Sequence, residues 1–378
     1  MSGRFIPVSA PMLIGNEKKY VMECMDSSWI SSCGEYVGKF ESAFANFCGA
    51  RHAVSCCNGT VALHLALMTL GIGAGDEVIV PTLTFVATAN AVTYCGAKPV
   101  FVDSEPRTWT LDPSLIEAKI TPRTKAIIAV HLYGHPVDMD AVAEVARRHR
   151  LFVVEDAAEA HGAEYKGRSV GTLGDIATFS FYGNKIIATG EGGIVVTNDD
   201  GLARRIQQLR GQEMDFERRY WFPIVGYNYR MMNLPAAIGL AQMEKVGWHL
   251  ERQRCVAEWY GERLRDVPGI RWQAEEEWAT NVRWLFTITL DERLQRSRDA
   301  VMSFLEKRGI ETRPVFYPMH ILPPYREASG GQAFPFAERI ASRGLSLPTW
   351  AGLTRVDVDY ICDALQECLR AASANPLT

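Results

Sequence analysis

The sequence predicts an α/β protein: a large domain with a mainly parallel central sheet flanked by helices, followed by a smaller α+β domain. Three observations lead there. Short apolar runs recur without the polar alternation of a half-exposed strand, the pattern of strands buried on both faces. Stretches of helical length separate several of those runs. After about Lys245 the texture changes to charged helical stretches and Pro-rich loops, which divides the chain into units 1–245 and 246–378.

The elements follow in order. Val61 to Leu70 (VALHLALMTL) has helical length and stops at Gly71, and EVIV from Glu77, bounded by Asp76 and Pro81, reads as a buried strand. Then come a helix from Ala87 to Tyr94, strands at Pro99 to Val102 and Ala126 to His131, a helix from Met139 to His149, and strands at Leu151 to Val154, Ala177 to Phe181 and Gly193 to Thr197. A long helical stretch runs from Pro235 towards Arg265, followed by a strand from Trp284 to Leu290 and helices from Arg298 to Arg308 and Val356 to Arg370.

Composition excludes several classes. At 378 residues with 47% hydrophobic and 22% charged residues, there is material for a sizeable core. The formal net charge of −4, with no long block of one sign, argues against nucleic acid or an anionic membrane surface as the main partner. No run approaches the ~18 apolar residues of a membrane span, and Met1 to Ala10 lacks the apolar centre of a secretory signal. Nine irregularly spaced cysteines with no C-x-x-C pair fit a reduced, cytoplasmic protein better than a disulfide framework or a zinc site.

Chemistry in such a sheet gathers beyond the carboxyl ends of the strands, so the residues there are the candidates. Asn58-Gly59-Thr60 precedes the first strong helix, where fresh backbone N–H groups can hold an anion or Asn58 and Thr60 can simply cap. Asp156 follows LFVVE with Glu159 three residues on: a carboxylate for a cationic ring nitrogen, or a capping box. Lys185, after Ser180-Phe181-Tyr182-Gly183-Asn184, enters a Gly-rich loop. Desolvation there would favour the neutral amine that forms a Schiff base, unless the lysine is an ordinary surface residue. Phe85, after EVIVP, can stack on a flat heterocycle or belong to the core. His131 and His135 are four apart, but Gly134 and Pro136 preclude a shared helical face, so no metal is expected, and His161 beside Glu159 is weak on its own. A phosphate cradle, a stacking aromatic, an acid for a pyridinium and a Schiff-base lysine are together what pyridoxal 5′-phosphate requires.

The stretches NGTVALHLAL, GDEVIVPTLTFVATANAV, VEDAAEAHGA, SFYGNK-IIATGEGG and GYNYRMMNLPAAIGLAQ closely resemble the DegT/DnrJ family of nucleotide-sugar aminotransferases, from about Pro7 to the last helix. The resemblance implies a fold type I pyridoxal-phosphate enzyme that cycles through pyridoxamine 5′-phosphate. Lys185 would carry the cofactor as a Schiff base and later move a proton. Asp156 would pair with the pyridinium nitrogen, and Glu159, at a position where many members have Gln, would lie near the 3-oxygen. Gly59, Thr60 and Ser180 would bind phosphate, and Phe85 would stack on the ring. Asn228 in GYNYR matches a residue that reaches the phosphate of a neighbouring subunit, which implies a homodimer with shared active sites.

SSWISSCGEYVGKFE, RRYWFPIVGYNYRM and RPVFYPMHILPPY look most like the perosamine-forming branch, which works in O-antigen polysaccharide synthesis. That likeness implies L-glutamate as amino donor and GDP-4-keto-6-deoxy-D-mannose as acceptor. Another GDP- or UDP-linked ketosugar is the alternative. A pyridoxal-phosphate sugar 3-dehydratase would have histidine in place of Lys185, and a nicotinamide-dependent dehydrogenase would need a Gly-rich fingerprint that is missing. Trp29, Ser31, Arg219, Trp221 and His320 fall in segments that line the sugar-nucleotide site in relatives; the alternative for each is a core, interface or solvated residue.

Overall fold

The computed structural model describes residues 4–373 apart from 216 and 328. The start of the N-terminal stretch read for a leader, Met1 to Gly3, and the last five residues of the second unit lie outside it. Seven strands form the central sheet: β1 (His52–Cys56), β2 (Glu77–Pro81), β3 (Lys98–Val102), β4 (Thr124–Val130), β5 (Phe152–Asp156), β6 (Ile176–Ser180) and β7 (Gly193–Thr197). Their order is β1-β7-β6-β5-β4-β2-β3. The pairs among β2 to β6 are parallel, whereas β7 runs antiparallel to both β6 and β1.

Every residue of β2, β6 and β7 is buried, as their unbroken apolar runs require. Helices α1 (Glu17–Ser27), α2 (Glu35–Cys48), α3 (Gly59–Thr69), α4 (Val86–Tyr94), α5 (Met139–His149), α6 (Asp200–Arg210) and α7 (Asn233–Met243) accompany the sheet. Helix α5 shows why the sequence starts and stops where it does. Asp138 accepts from the Ala141 N–H at its start, and Arg147, Arg148 and His149 complement the carbonyl end.

The long helix expected from Pro235 towards Arg265 is two helices, α7 and α8 (Val246–Leu264), separated at Glu244 and Lys245. No proline or glycine marks the break. Tertiary contacts accompany it, since the Glu244 carboxylate accepts from Asn16 Nδ2 at 2.7 Å and the Tyr20 hydroxyl at 2.6 Å. Beyond it lies a second, antiparallel sheet of β8 (Ile270–Trp272), β9 (Phe286–Leu290), β10 (Arg313–Pro314) and β11 (Gly344–Leu347), in the order β8-β9-β11-β10. Helices α9 (Arg298–Glu306), α10 (Pro335–Arg343) and α11 (Arg355–Ser373) belong to this part. Val256, Tyr260, Phe286, Ile288, Leu345 and Ile361 share its core with Ile6, so the start of the described chain docks on the second sheet.

Candidate active site

A cavity of about 690 Å³ opens at the carboxyl ends of the parallel strands, where open α/β sheets bind ligands. Gly59, Thr60, Phe85, Asp156, Glu159, Ser180 and Lys185 all line it. Seven positions separated by up to 126 residues (185 − 59) thus meet at one place.

At one end stands the first turn of α3. Asn58 caps the helix by accepting from the Val61 N–H at 2.9 Å. The capping and anion readings therefore coexist, because the Gly59 and Thr60 N–H groups, at the helix's positive end, have no partner among the described residues. A Cβ on Gly59 would lie 2.7 Å from Ser180 Cβ and 2.9 Å from its Oγ. Glycine is what lets the helix N-terminus and the Ser180 hydroxyl share one wall.

At the other end, Asp156 closes β5 and is buried. No helix follows it, which removes the capping-box alternative. Its Oδ2 accepts from the Thr88 hydroxyl at 2.7 Å and its Oδ1 from the Ala158 N–H at 3.3 Å. Burial nonetheless raises its pKa, so the carboxylate is short of positive charge. Glu159 is fixed by the Tyr133 N–H at 2.8 Å, and burial lifts its pKa to about 7 against the pull of Lys185.

Lys185 sits in the turn between β6 and β7 rather than directly on a strand end. Its side chain is 10% exposed, with Nζ 3.7 Å from Glu159 Oε1. Burial lowers its pKa, opposed by Glu159 and then Asp156. The surface-lysine alternative is thereby removed. Phe85 sits at the start of α4, half exposed, with its ring 5.6 Å from that of Phe316.

Sequence reasoning missed Thr88, Tyr133, Trp284, Arg313 and Phe316. Thr88 touches Asp156 across 68 residues, and the other four line the cavity. Arg313 is the one guanidinium on its described wall. A cue did exist for Thr88, a hydroxyl one helical turn after Thr84, to which it is bonded at 3.0 Å.

Other expected site residues are not in the cavity of the single chain. Trp29, Ser31, Arg219, Trp221 and Asn228 are exposed on the surface, Trp29 by 58% and Trp221 by 51%. His320 is buried and does not line the cavity; its Nδ1 meets the Thr82 hydroxyl at 2.7 Å and its Nε2 meets Glu338 at 3.1 Å, so it ties the loop after β2 to α10. The two histidines set aside for metal are engaged elsewhere: His131 with Glu155 at 3.1 Å and His135 with the Pro136 carbonyl at 2.7 Å. No group of three metal-binding side chains occurs among the described residues. His161 is packed against Phe44, Phe179 and Phe181, and burial lowers its pKa to about 3.

The DegT/DnrJ/EryC1/StrS aminotransferase family matches residues 11–366 of the chain. The chain belongs to this family. It is 57% identical to a GDP-perosamine synthase of Caulobacter vibrioides over 96% of its own length and 98% of that protein's. It is 49% identical to a GDP-perosamine synthase of Escherichia coli O157:H7, with the same two coverages. Among solved structures, S. venezuelae DesV in complex with a ketimine intermediate superimposes with a TM-score of 0.88 at 40% identity, covering 93% of this chain and 94% of that one. The parallel-sheet fold and the aminotransferase activity expected of the family are thereby those of this chain. No helix among the described residues is long and apolar enough to cross a membrane.

Proposed function

We propose that this aminotransferase moves the amino group of L-glutamate onto GDP-4-keto-6-deoxy-D-mannose, giving GDP-perosamine for polysaccharide synthesis in the cytoplasm. The observation that carries the reading is the enclosure of the Lys185 amine, the Asp156 carboxylate and the unpartnered N–H groups of Gly59 and Thr60 in one cavity. The names of the relatives at 57% and 49% identity support the acceptor.

The residues fit pyridoxal 5′-phosphate on their own chemistry. A buried carboxylate with a raised pKa calls for a cation opposite it, as a protonated ring nitrogen is. A helix N-terminus beside a serine hydroxyl suits a phosphate. When bound, that cofactor supplies an electron sink and carries the amino group between donor and acceptor.

The rest falls to side chains. Asp156, held by Thr88 and the Ala158 N–H, would pair with the ring nitrogen, while Gly59, Thr60 and Ser180 would hold the phosphate. Phe85 would cover the ring, and Glu159, fixed by Tyr133, would lie near its 3-oxygen. Lys185 Nζ, whose charge burial disfavours, is placed to take the proton released at the donor's α-carbon and, in the second half of the reaction, to supply one to the acceptor carbon. Arg313 suits a donor carboxylate.

A homodimer brings Asn228 and the exposed Trp29, Ser31, Arg219 and Trp221 to a second copy and completes the sugar-nucleotide site; the apolar exposure of Ile30, Tyr220, Phe222 and Val225 in the same segments supports this. Incubation with L-glutamate and a panel of GDP-, UDP- and TDP-linked ketosugars, read by mass and NMR, tests the proposal. GDP-perosamine is the expected product. Turnover of a different ketosugar, with the GDP-linked 4-ketosugar left intact, would overturn the acceptor while leaving the reaction class standing.

A further inference from the structure

We propose that Trp284 is a positioning residue for Lys185: its indole N–H anchors the chain immediately before the lysine, and its ring face receives the ammonium whenever the amine is not covalently engaged. The proposal rests on the assignment of Lys185 as the cofactor lysine.

Two contacts carry it. Trp284 Nε1 donates to the Asn184 carbonyl at 2.7 Å, one residue before Lys185. Lys185 Nζ lies 3.6 Å from the centroid of the Trp284 ring, within the range of a cation–π contact. One side chain from the second half of the sequence thus fixes both the backbone and the amine of the loop between β6 and β7.

The indole is itself held rigidly. Its backbone N–H donates to the Tyr133 carbonyl at 3.0 Å, and its carbonyl accepts from Gln253 Nε2 at 2.9 Å. The ring lies nearly parallel to Tyr133, at 15° and 6.2 Å, and Tyr133 lies at 16° to Phe316, 5.4 Å away. Arg283, just before it, takes a left-handed φ of 46°, a conformation that costs a non-glycine residue energy.

The physical need is plain. Burial penalises a charged Lys185, yet the amine must become charged each time it accepts a proton. The groups that act on it are Glu159 at 3.7 Å and Asp156, which favour the charge, and Arg313 and His161, which oppose it or are opposed by it. Asp156 faces the cofactor nitrogen under the reading above and Glu159 its oxygen edge. The Trp284 face is the contact that favours the ammonium without supplying a competing negative charge.

The test uses the full-length protein stripped of cofactor, with the rate of pyridoxal 5′-phosphate attachment followed by absorbance across pH. Only the neutral amine attacks, so the midpoint of the rate profile reports the ionisation of Lys185, and the plateau reports its placement. Trp284→Leu should move the midpoint down by about one pH unit, roughly a tenfold shift in the protonation equilibrium. Trp284→Phe keeps a ring face but loses the N–H; its midpoint should stay within about 0.3 pH unit of the parent while its plateau rate falls roughly threefold to tenfold. Melting curves establish that each variant folds, and Trp284→Phe decides the matter alone if Trp284→Leu does not. A Trp284→Leu profile superimposed on the parent, or a Trp284→Phe midpoint displaced as far as a full unit, would overturn the proposal. Failure of the parent protein to attach the cofactor at Lys185 would instead remove the underlying assignment.

Discussion

Two regions of the molecule stand in contrast. The wall around Lys185, Asp156 and Glu159 is buried, and the two carboxylates are each held by neighbours before any ligand arrives. The segments around Trp29 and from Tyr220 to Val225 are the reverse: their large apolar side chains face solvent, with Val225 87% exposed. The first is a site the fold of one chain assembles, because strand ends and helix starts converge there by topology. The second is a surface whose composition makes sense against another surface. Under the proposed function, chemistry is built into the subunit and substrate choice into the assembly.

The sharpest way to break this contrast is at the lysine. Lys185→Ala should abolish the cofactor's visible absorption and cut amine transfer by at least about 10³-fold, since under the proposed function the amine serves as both attachment point and proton carrier. A visible spectrum and a coupled assay for 2-oxoglutarate check both. Retained transfer would mean that the buried wall is not the catalytic one.

Next comes the exposed surface. Trp221→Ala should weaken self-association by about 30-fold, a loss typical of a buried interface aromatic, with activity falling on dilution. Sedimentation velocity across a concentration series reads the effect. If the wild-type protein is a fully active monomer, the distinction between subunit chemistry and assembly specificity disappears.

A subtler probe stays inside the buried wall. Thr88→Val removes the donor to Asp156 Oδ2 and should cost about 1–3 kcal/mol of stability in the ligand-free protein, seen as a lowered melting temperature. The smallest effect concerns pH. Glu159 titrates near 7 in the folded chain and well below that when unfolded, so the folded state holds the extra proton between those values. Stability of the ligand-free protein should therefore decline as pH rises from about 4.5 towards 7. Glu159→Gln should flatten that slope by a few degrees of melting temperature, measured by calorimetry at pH 5 and pH 8.

The sheet was legible from sequence where strands are buried on both faces. EVIV and GIVVT announce β2 and β7 because no solvent-facing position interrupts them. Strand β1, His52–Cys56, escaped notice because it begins with a polar residue, includes a serine and pairs with one neighbour at the sheet edge. Helices α1, α2 and α6 were not read at all. The residues that follow strand ends were legible for the same topological reason: Gly59, Phe85, Asp156, Glu159, Ser180 and Lys185 all reach the cavity.

Residues brought in by tertiary packing were not legible. Tyr133 presents its backbone N–H to Glu159 from a left-handed conformation, with φ of 54°, that nothing in its neighbourhood announces. Trp284, Arg313 and Phe316 arrive from the part of the chain after α8, where periodicity identifies elements but not which wall they complete. His320 shows the opposite error, since the segment around it was informative but its ring is spent holding Thr82 and Glu338.

The reversed direction of β7 has a mechanical consequence. Because β6 and β7 are adjacent and antiparallel, the stretch between them is laced to itself, with Phe181 bonded to Gly192, Thr189 to Phe181 and Gly183 to Gly190. Lys185 therefore rides on a closed loop anchored at both feet in the central sheet, not on a helical crossover. The indole of Trp284, two residues before β9, bonds that loop at the Asn184 carbonyl, so a single aromatic ring joins the second sheet to the lysine's loop.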